Sequence, residues 1–379
     1  MLFRSTSHVL AVRTALNLQA QHGADIMSRI EFACREPHTL TRLIRDQLGE
    51  MITEMVCSVD GLTERLAHVV IAGNTVMHHL FCGLDLAPLA HSPFETDRLD
   101  LEFIPASALD WELPGNPFVR FLPNLGGFLG SDILAGILAT RLHEATELTA
   151  IMDLGTNGEI ALGNRDRILC ASTAAGPAFE GARISCGMRA ATGAIARVTT
   201  QDRQFACQVL GHGPARGLCG SGLVDAVAVS LDLGLIQPSG RLTQPPQVPL
   251  APSVNLTQSD VRELQLAKGA IAAGFQLLAR RWETSPGAIS KVYLAGAFGN
   301  YISRQSARRI GLLRTPIDRV QPAGNTALLG AKLALFSLHE GDGSYPELRR
   351  KIEHVPLSED PAFHDVFAEE LKFPQLTHP

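Results

Sequence analysis

Lysine is scarce in this sequence. There are five, all from residue 268 onward: Lys268, Lys291, Lys332, Lys351 and Lys372. A P-loop needs a lysine at the end of its glycine-rich turn, so residues 1–267 cannot contain one. Long apolar runs are also lacking, which argues against a membrane-spanning helix. With a net charge of -5, the chain has no electrostatic attraction for nucleic acid or an anionic membrane, and we expect neither as a partner.

Closely spaced cysteines are missing as well. The seven cysteines form no C-x-x-C pair and are scattered along the chain: Cys34, Cys57, Cys82, Cys170, Cys186, Cys207 and Cys219. Iron–sulfur clusters and zinc ribbons need neighbouring thiolates, and a chain of this length does not need disulfides. We therefore expect reduced thiols in a cytoplasmic protein. The purified chain should contain no iron and show no visible absorbance of an iron–sulfur cluster.

The composition is that of an ordinary globular protein. Hydrophobic residues make up 45% and charged residues 19% of the chain. Its 379 residues are enough for two or three domains. Residues 1–24 contain Arg4 and Arg13 but no acidic residue. This pattern is typical of transit peptides, but a folded domain can also begin at residue 1, and we favour that interpretation.

Apolar periodicity predicts alternating strands and helices, which is typical of an α/β fold. The predicted helices are 39–59, one from Thr75, 131–143, one ending near Trp282 behind a Thr257/Asp260 capping box, and 325–338. The predicted strands include 69–71, a hairpin within 148–163, 167–172 and 291–295. We expect a first domain at 1–145 with a proline-rich excursion at 83–120, a second at 146–340 with a linker at 237–252, and a surface tail at 341–379.

The strongest chemical pattern is DLGTNGE at residues 153–159. A strand delivers Asp153 to a turn in which Gly155 and Gly158 permit unusual backbone angles. Backbone N–H groups in such a turn can form a concave nest for phosphate oxygens, and the aspartate can hold Mg²⁺ through water. The alternative is a plain β-hairpin, because such residues are common in turns.

A second glycine-containing turn follows the predicted strand 291–295. Gly296, Ala297, Phe298 and Gly299 stand at the carboxyl end of that strand, where ligands collect in open α/β sheets. Small residues there let a ligand lie against the backbone. A simple strand-to-helix turn is the alternative.

Two weaker patterns complete the set. Gly220, Ser221 and Gly222 stand at a predicted helix start, which favours anions, although glycines there also allow close packing. Glu180, between small residues, could contact ribose or orient a water, or could be an ordinary exposed glutamate in a loop.

The order of these motifs resembles the ATPase superfamily of actin, sugar kinases and heat-shock chaperones. A helix at 126–143 leads into the Asp153 hairpin, and a G-A-F-G strand end and a helix at 325–338 follow later. The resemblance implies duplicated RNase H-like domains, mixed sheets flanked by helices, and a nucleotide cleft between the halves.

Five strings are similar to those of reductive activators of corrinoid proteins: AGNTVMHHL, DLGTNGEIAL, AGPAFEGARI, GLCGSGLVD and YLAGAFGNYI. Such proteins use ATP to drive the uphill reduction of a Co(II) corrinoid to Co(I). The family also has an N-terminal ferredoxin-type domain and a first phosphate loop, D-x-G-T-T, and this sequence has neither. We expect an N-terminally shortened member that receives electrons from elsewhere. An exposed strand edge would favour pairing with another chain, including a second copy.

The resemblance implies a role for each candidate residue. Asp153 positions Mg²⁺ and its waters, at a hairpin away from the Gly296 loop, and Asp132 is a second candidate for a Mg²⁺-bound water. Glu180 is a third candidate for the catalytic set. The nucleotide contacts are Gly155, Thr156, Asn157, Gly158, Gly220, Ser221, Gly222, Gly296, Ala297, Phe298 and Gly299.

The implied function is therefore ATP-driven activation of a corrinoid protein, with ATP and Mg²⁺ as cofactors and the corrinoid protein as partner. Two alternatives stay open at this point. One is a small-molecule kinase of the same superfamily, and the other is a nucleotide-binding module that does not hydrolyse ATP.

Overall fold

A computed structural model of the chain describes residues 1–23, 25–59, 66–244, 246–337 and 344–375. Residue 338 of the predicted helix at 325–338 lies outside these residues, as do residues 341–343 and 376–379 of the predicted tail at 341–379. Among the described helices, we find none with both the length and the apolar character needed to cross a membrane.

Strands and helices alternate along the chain, which confirms the predicted α/β class. The strands are β1 (Leu2–Phe3), β2 (Val9–Ala11), β3 (His68–Ile71), β4 (Glu102–Pro105), β5 (Phe118–Phe121), β6 (Thr149–Leu154), β7 (Asn157–Gly163), β8 (Ile168–Ala174), β9 (Ala194–Gln201), β10 (Gln204–Val209), β11 (Gly217–Leu218), β12 (Gln247–Ala251), β13 (Val254–Thr257), β14 (Lys291–Ala295), β15 (Val320–Gly324) and β16 (Ile352–His354). The helices are α1 (Ile26–Arg35), α2 (Pro37–Cys57), α3 (Thr75–Cys82), α4 (Ala87–Ala90), α5 (Ser131–Thr140), α6 (Gly220–Asp232), α7 (Gln258–Arg281), α8 (Gly296–Tyr301), α9 (Arg304–Arg309), α10 (Thr326–Phe336), α11 (Ser344–Lys351) and α12 (Phe363–Glu370).

The chain divides into two compact units. Unit 1 comprises Met1–Ala139 and Thr326–His354, and unit 2 comprises Thr140–Asn325 and Val355–Pro379. In unit 1, β3, β5 and β4 form a three-stranded sheet, and β1 pairs with β2. Aromatic side chains fill the core beside that sheet, where the Phe81 ring lies 5.8 Å from Trp111 and 5.6 Å from Phe121.

Part of the proline-rich segment 83–120 is regular structure rather than an excursion. Strands β4 and β5 both lie in it and pair with each other, and β5 also pairs with β3. Two of its prolines flank the strands, with Pro105 at the end of β4 and Pro117 directly before β5. At those positions a proline costs no ladder hydrogen bond in the strand interior, so proline content alone is a poor guide here.

In unit 2, the main sheet runs in the order β15-β14-β6-β7-β8. Strand β14 is parallel to both β15 and β6, whereas β6, β7 and β8 form an antiparallel meander. Strand β6 is buried at every position except Asp153, which lies near its carboxyl end. The topology therefore brings the carboxyl ends of β6 and β14 to the same edge of the sheet.

A second small sheet, β10-β9-β11, lies beside α6 in unit 2, and β12 pairs with β13 as a hairpin. Strand β12 occupies part of the segment 237–252 that the sequence suggested was a linker. It alternates buried Val248 and Leu250 with exposed neighbours, which is the period of a half-buried strand.

The segment after residue 340 is not a surface tail over its described part. In unit 1, α11 buries Tyr345 and Leu348. In unit 2, α12 packs on α7, and Lys268 Nζ donates a hydrogen bond to the backbone oxygen of Lys372 over 2.6 Å. A few apolar side chains in a polar segment suffice to hold it against the core, which explains why composition suggested a tail.

The predicted capping box of α7 is confirmed. Thr257 Oγ1 accepts from the Asp260 backbone N–H, and Asp260 Oδ2 accepts from the Thr257 N–H over 2.8 Å. Asp260 Oδ1 also accepts from the N–H of Ser185, and the Asp260 side chain is fully buried.

We expect Asp260→Ala to lower the free energy of unfolding by about 2 kcal/mol, because it removes a cap and leaves two partly buried N–H groups without their acceptor. Ser259→Ala, an exposed change in the same turn, is the control and should have little effect. Urea unfolding of the three proteins measures both values. Equal stability of the Asp260 variant and the wild type would contradict this role.

Candidate functional site

The predicted phosphate hairpin and the Gly296 loop meet at one edge of the unit 2 sheet. Asp153 and Ala295 are register partners on β6 and β14. Gly296 has a φ of +82°, and a Cβ placed on it would lie 2.5 Å from Asp153 Oδ1. The expectation that Asp153 lies away from the Gly296 loop is therefore wrong. The reason is topological: β6 and β14 are parallel neighbours, although Ala295 follows Asp153 by 142 residues in the sequence.

The glycines at and beside the β6–β7 turn do not have the backbone role that the sequence predicted. Neither Gly155 nor Gly158 has a left-handed φ. Gly158 is instead required for space, since a Cβ there would lie 2.6 Å from Ile271 Cγ1 of α7. Gly155 is open, with the backbone oxygen of Asn157 as its nearest neighbour at 3.5 Å from an added Cβ. Of these two glycines, only Gly155 leaves space where its side chain would be.

Thr156 ties the turn to the loop that holds Glu180. Its hydroxyl donates to Glu180 Oε1 over 2.8 Å, and its backbone oxygen accepts from the N–H of Gly176 over 2.9 Å. Glu180 is exposed. The two candidate residues are therefore in direct contact, although 24 residues of sequence separate them.

An aromatic stack joins the same loop to the Gly296 loop. The rings of Phe179 and Phe298 are stacked, with centroids 4.4 Å apart and planes at 19°. Phe179 is buried and Phe298 half-buried. Gly296, Ala297, Phe298 and Gly299 form the start of α8, a short helix that follows β14 directly. Three separate segments thus converge at this edge of unit 2: the β6–β7 turn, the loop with Glu180 and the Gly296 loop.

Gly220 and Gly222 are explained by close packing, the alternative that the sequence left open. An added Cβ on Gly220 would lie 1.9 Å from the backbone oxygen of Phe179, and one on Gly222 would lie 2.1 Å from that of Ile195. Ser221 is buried and donates its hydroxyl hydrogen to the backbone oxygen of Ala196 over 2.8 Å. The first turn of α6 is therefore held tightly in place.

Asp132 belongs to unit 1, at the start of α5. Its Oδ1 accepts from the N–H of Ile133 over 2.9 Å, and its own N–H donates to the backbone oxygen of Gly73. Burial raises the pKa of the Asp132 carboxyl from 3.8 to about 6, against the opposing effect of these backbone N–H groups.

This raised pKa predicts a pH-dependent stability. The folded chain binds the Asp132 proton more tightly than the unfolded chain does, so stability should fall as the pH rises from about 4 to about 6. Asp132→Asn keeps the acceptor for Ile133 but cannot titrate. We expect the stability of the wild type relative to this variant to fall by roughly 2 kcal/mol across that window. Urea unfolding between pH 4 and pH 7 tests it, and parallel profiles for the two proteins would contradict it.

The donor set at this edge fits Mg²⁺ better than a transition metal. Across the described residues, no three His, Cys, Asp or Glu side chains cluster closely enough to enclose a metal ion. Magnesium keeps several waters and needs only one or two carboxylates beside a phosphate. Asp153, next to the open Gly155 turn, has the chemistry for that role.

Comparison with known proteins agrees with these motifs. A family profile described as the C-terminal domain of RACo, the ASKHA domain, matches residues 147–378. A second profile, the RACo middle region, matches residues 4–145. ASKHA is the ATPase superfamily that the order of the motifs resembles, so the predicted fold class is confirmed.

Two individual proteins and one solved structure are also similar to this chain. The chain is 36% identical to "Corrinoid activation enzyme RamQ" of Eubacterium limosum, over 95% of this chain and 65% of that protein. It is 28% identical to "[Co(II) methylated amine-specific corrinoid protein] reductase" of Methanosarcina barkeri, over 93% of this chain and 70% of that protein. A solved "Reductive activator for corrinoid,iron-sulfur protein" matches with a TM-score of 0.83 and 32% identity, over 95% of this chain and 61% of that one. The chain thus spans less than two thirds of RamQ and of the solved structure.

Proposed function

The chain belongs to the RACo family, and from this membership we propose that it is the ATP-dependent core of a reductive activator. In this proposal it supports the one-electron reduction of a Co(II) corrinoid protein to the Co(I) state. The observation that carries the proposal is the match of both RACo regions, which together extend from residue 4 to residue 378. The chain supplies nucleotide binding and partner docking, and the corrinoid stays on the partner protein.

Unit 2 offers a consistent set of residues for Mg·ATP. We assign Asp153 to the waters of Mg²⁺, and the backbone of Gly155, Thr156 and Asn157 to the phosphates. Bound Mg²⁺ would neutralise phosphate charge, which is the main requirement in phosphoryl transfer. The Gly296 turn, which follows β14 directly and lies beside Asp153, is assigned to the adenosine part of the nucleotide.

Other candidate residues have indirect roles in this proposal, through orientation or packing. Glu180 accepts from Thr156 and so orients its hydroxyl in the phosphate turn. Gly158, Gly220 and Gly222 act through packing, because each lies where a Cβ would overlap a neighbour. Asp132 stays a prediction from the resemblance, as a candidate for a Mg²⁺-bound water.

The electrons come from another protein or domain in this account. The seven cysteines are scattered in sequence, and all are free thiols in the structure. Burial raises the pKa of Cys82 to about 12, so this group is a protonated thiol at neutral pH and not the thiolate that binds metals.

The test follows Co(II) and Co(I) absorbance of a purified corrinoid protein in the presence of a low-potential chemical reductant. We expect Co(I) to accumulate when the chain and Mg·ATP are both present, and much less when either is omitted. ATP replaced by a non-hydrolysable analogue is the control and should behave like the omission. Equal accumulation with and without the chain would overturn the proposal.

A further inference from the structure

The loop that carries Glu180 contacts the β6–β7 turn, the Gly296 loop and the start of α6. Its central part is a single 3₁₀ turn, Pro177–Glu180, which we call the bridge turn. Glycines flank it on both sides, and Gly176 and Gly181 have φ values of +78° and +80°. Residues with side chains rarely adopt such angles, so these glycines let the chain enter and leave the bridge turn sharply.

Two hydrogen bonds connect the bridge turn and its flanking glycine to the β6–β7 turn. Thr156 Oγ1 donates to Glu180 Oε1 over 2.8 Å, and the N–H of Gly176 donates to the backbone oxygen of Thr156 over 2.9 Å. Thr156 is thus held through both its side chain and its backbone. Because the backbone of Thr156 is assigned to the phosphates, a shift of the bridge turn would move a group that binds phosphate.

Phe179 connects the bridge turn to the Gly296 loop. Its ring is stacked on that of Phe298, with centroids 4.4 Å apart and planes at 19°. Phe179 is 3% exposed, so nearly all of its surface lies against other protein atoms. Stacked aromatic pairs stabilise a structure beyond the apolar area that they bury. The stack therefore fixes the distance between the bridge turn and the first turn of α8.

The start of α6 holds the backbone of the same residue. A Cβ added to Gly220 would lie 1.9 Å from the backbone oxygen of Phe179, so the two backbones are in close contact. Phe179 is thus held at its backbone by α6 and at its ring by Phe298. Protein interiors are close-packed and transmit strain, so a residue held in this way can pass a displacement from one loop to another.

We propose that Phe179 is a positioning residue, which sets the spacing between the β6–β7 turn and the Gly296 loop through its stack on Phe298. The inference rests on the proposed function, because these two segments are the ones assigned to the phosphates and to adenosine. It goes beyond those assignments, since Phe179 itself is assigned to neither part of the nucleotide. In the sequence, Phe179 resembles an ordinary core residue, and only its neighbour Glu180 indicates chemistry.

The test is the ratio of the affinities for Mg·ATP and adenosine, measured by calorimetric titration. Loss of a direct contact with adenosine would weaken both ligands by the same factor and leave this ratio unchanged. If Phe298 acts on the β6–β7 turn through Phe179, the binding of Mg·ATP should be weakened more than that of adenosine. We therefore expect Phe298→Leu to lower the ratio by about threefold or more. Phe179→Leu should lower it similarly, and the double variant no further, because both changes remove the same stack.

Two further variants separate positioning from a general structural effect. Phe298→Tyr keeps an aromatic ring at a half-buried position and should restore most of the ratio that Phe298→Leu loses. Phe363→Leu is the matched control, because Phe363 is stacked on Phe367 of α12 in the same unit, with planes at 5°. It removes an aromatic stack that is no part of the proposed site, and it should keep the wild-type affinity for both ligands.

The outcomes distinguish this inference from the proposed function. An unchanged ratio in Phe298→Leu would overturn the role of Phe179, and so would an equal loss in Phe298→Tyr. Both comparisons leave the buried Phe179 in place, so they decide the question even if Phe179→Leu does not fold. If the wild type binds neither Mg·ATP nor adenosine, the proposed function itself fails, and the inference fails with it.

Discussion

Gly296→Ala is expected to weaken Mg·ATP binding by roughly tenfold or more and to destabilise the fold by about 1–3 kcal/mol. Two physical effects add at this position. The φ of +82° strains any residue with a side chain, and the new Cβ would lie 2.5 Å from Asp153 Oδ1. The carboxylate must therefore move away from the turn. Calorimetric titration with Mg·ATP and urea unfolding measure the two consequences separately.

Gly234→Ala is the matched control for this substitution. Gly234 has a similar φ of +73°, but an added Cβ there would meet no atom within 4 Å. This variant therefore shows the effect of backbone strain without any contact with Asp153. We expect it to lose stability and to keep the wild-type affinity for Mg·ATP. If both variants bind Mg·ATP like the wild type, the edge formed by Asp153 and Gly296 is not the nucleotide site.

Asp153→Ala is expected to weaken Mg·ATP binding by about 1–3 kcal/mol, and adenosine binding by less. The carboxylate is assigned to the waters of Mg²⁺, which adenosine does not bring with it. Contact with Gly296 means that adenosine can also lose some affinity. The diagnostic quantity is therefore the difference between the two losses, measured by calorimetry with both ligands.

Asp166→Ala serves as the control for the loss of a carboxylate. Asp166 is exposed beyond the other end of β7 and is 3.8 Å from Arg165, a surface pair of little energetic weight. It should bind both ligands like the wild type. When Mg²⁺ is removed, the gap between Asp153→Ala and the wild type should close. Equal losses for Mg·ATP and adenosine would mean that Asp153 is purely structural.

The sequence predicted those parts of the fold that local chemistry determines. Helix α7 begins where Thr257 and Asp260 form a capping box. The hairpin at Asp153 and the strand before Gly296 were visible because buried apolar runs end in glycine-containing turns. Motif order along the chain was sufficient to indicate the superfamily and the RACo family.

Long-range contacts were beyond the reach of those patterns. Nothing local in the sequence reveals that β6 and β14 are parallel neighbours, so Asp153 and Gly296 were predicted to lie apart. Gly158 resembles a turn glycine, yet it is needed because Ile271 of a distant helix lies against it.

Phosphate release is the most direct measurement of the central claim that this chain couples ATP hydrolysis to a corrinoid partner. The chain is incubated with Mg·ATP alone, with a Co(II) corrinoid protein, and with small hydroxylated metabolites. We expect slow phosphate release by the chain alone, clear stimulation by the corrinoid protein, and no phosphorylated metabolite. Phosphate transfer to a metabolite would indicate a kinase instead. Binding of ATP with no release under any of these conditions would contradict the claim and indicate a non-hydrolysing nucleotide-binding module.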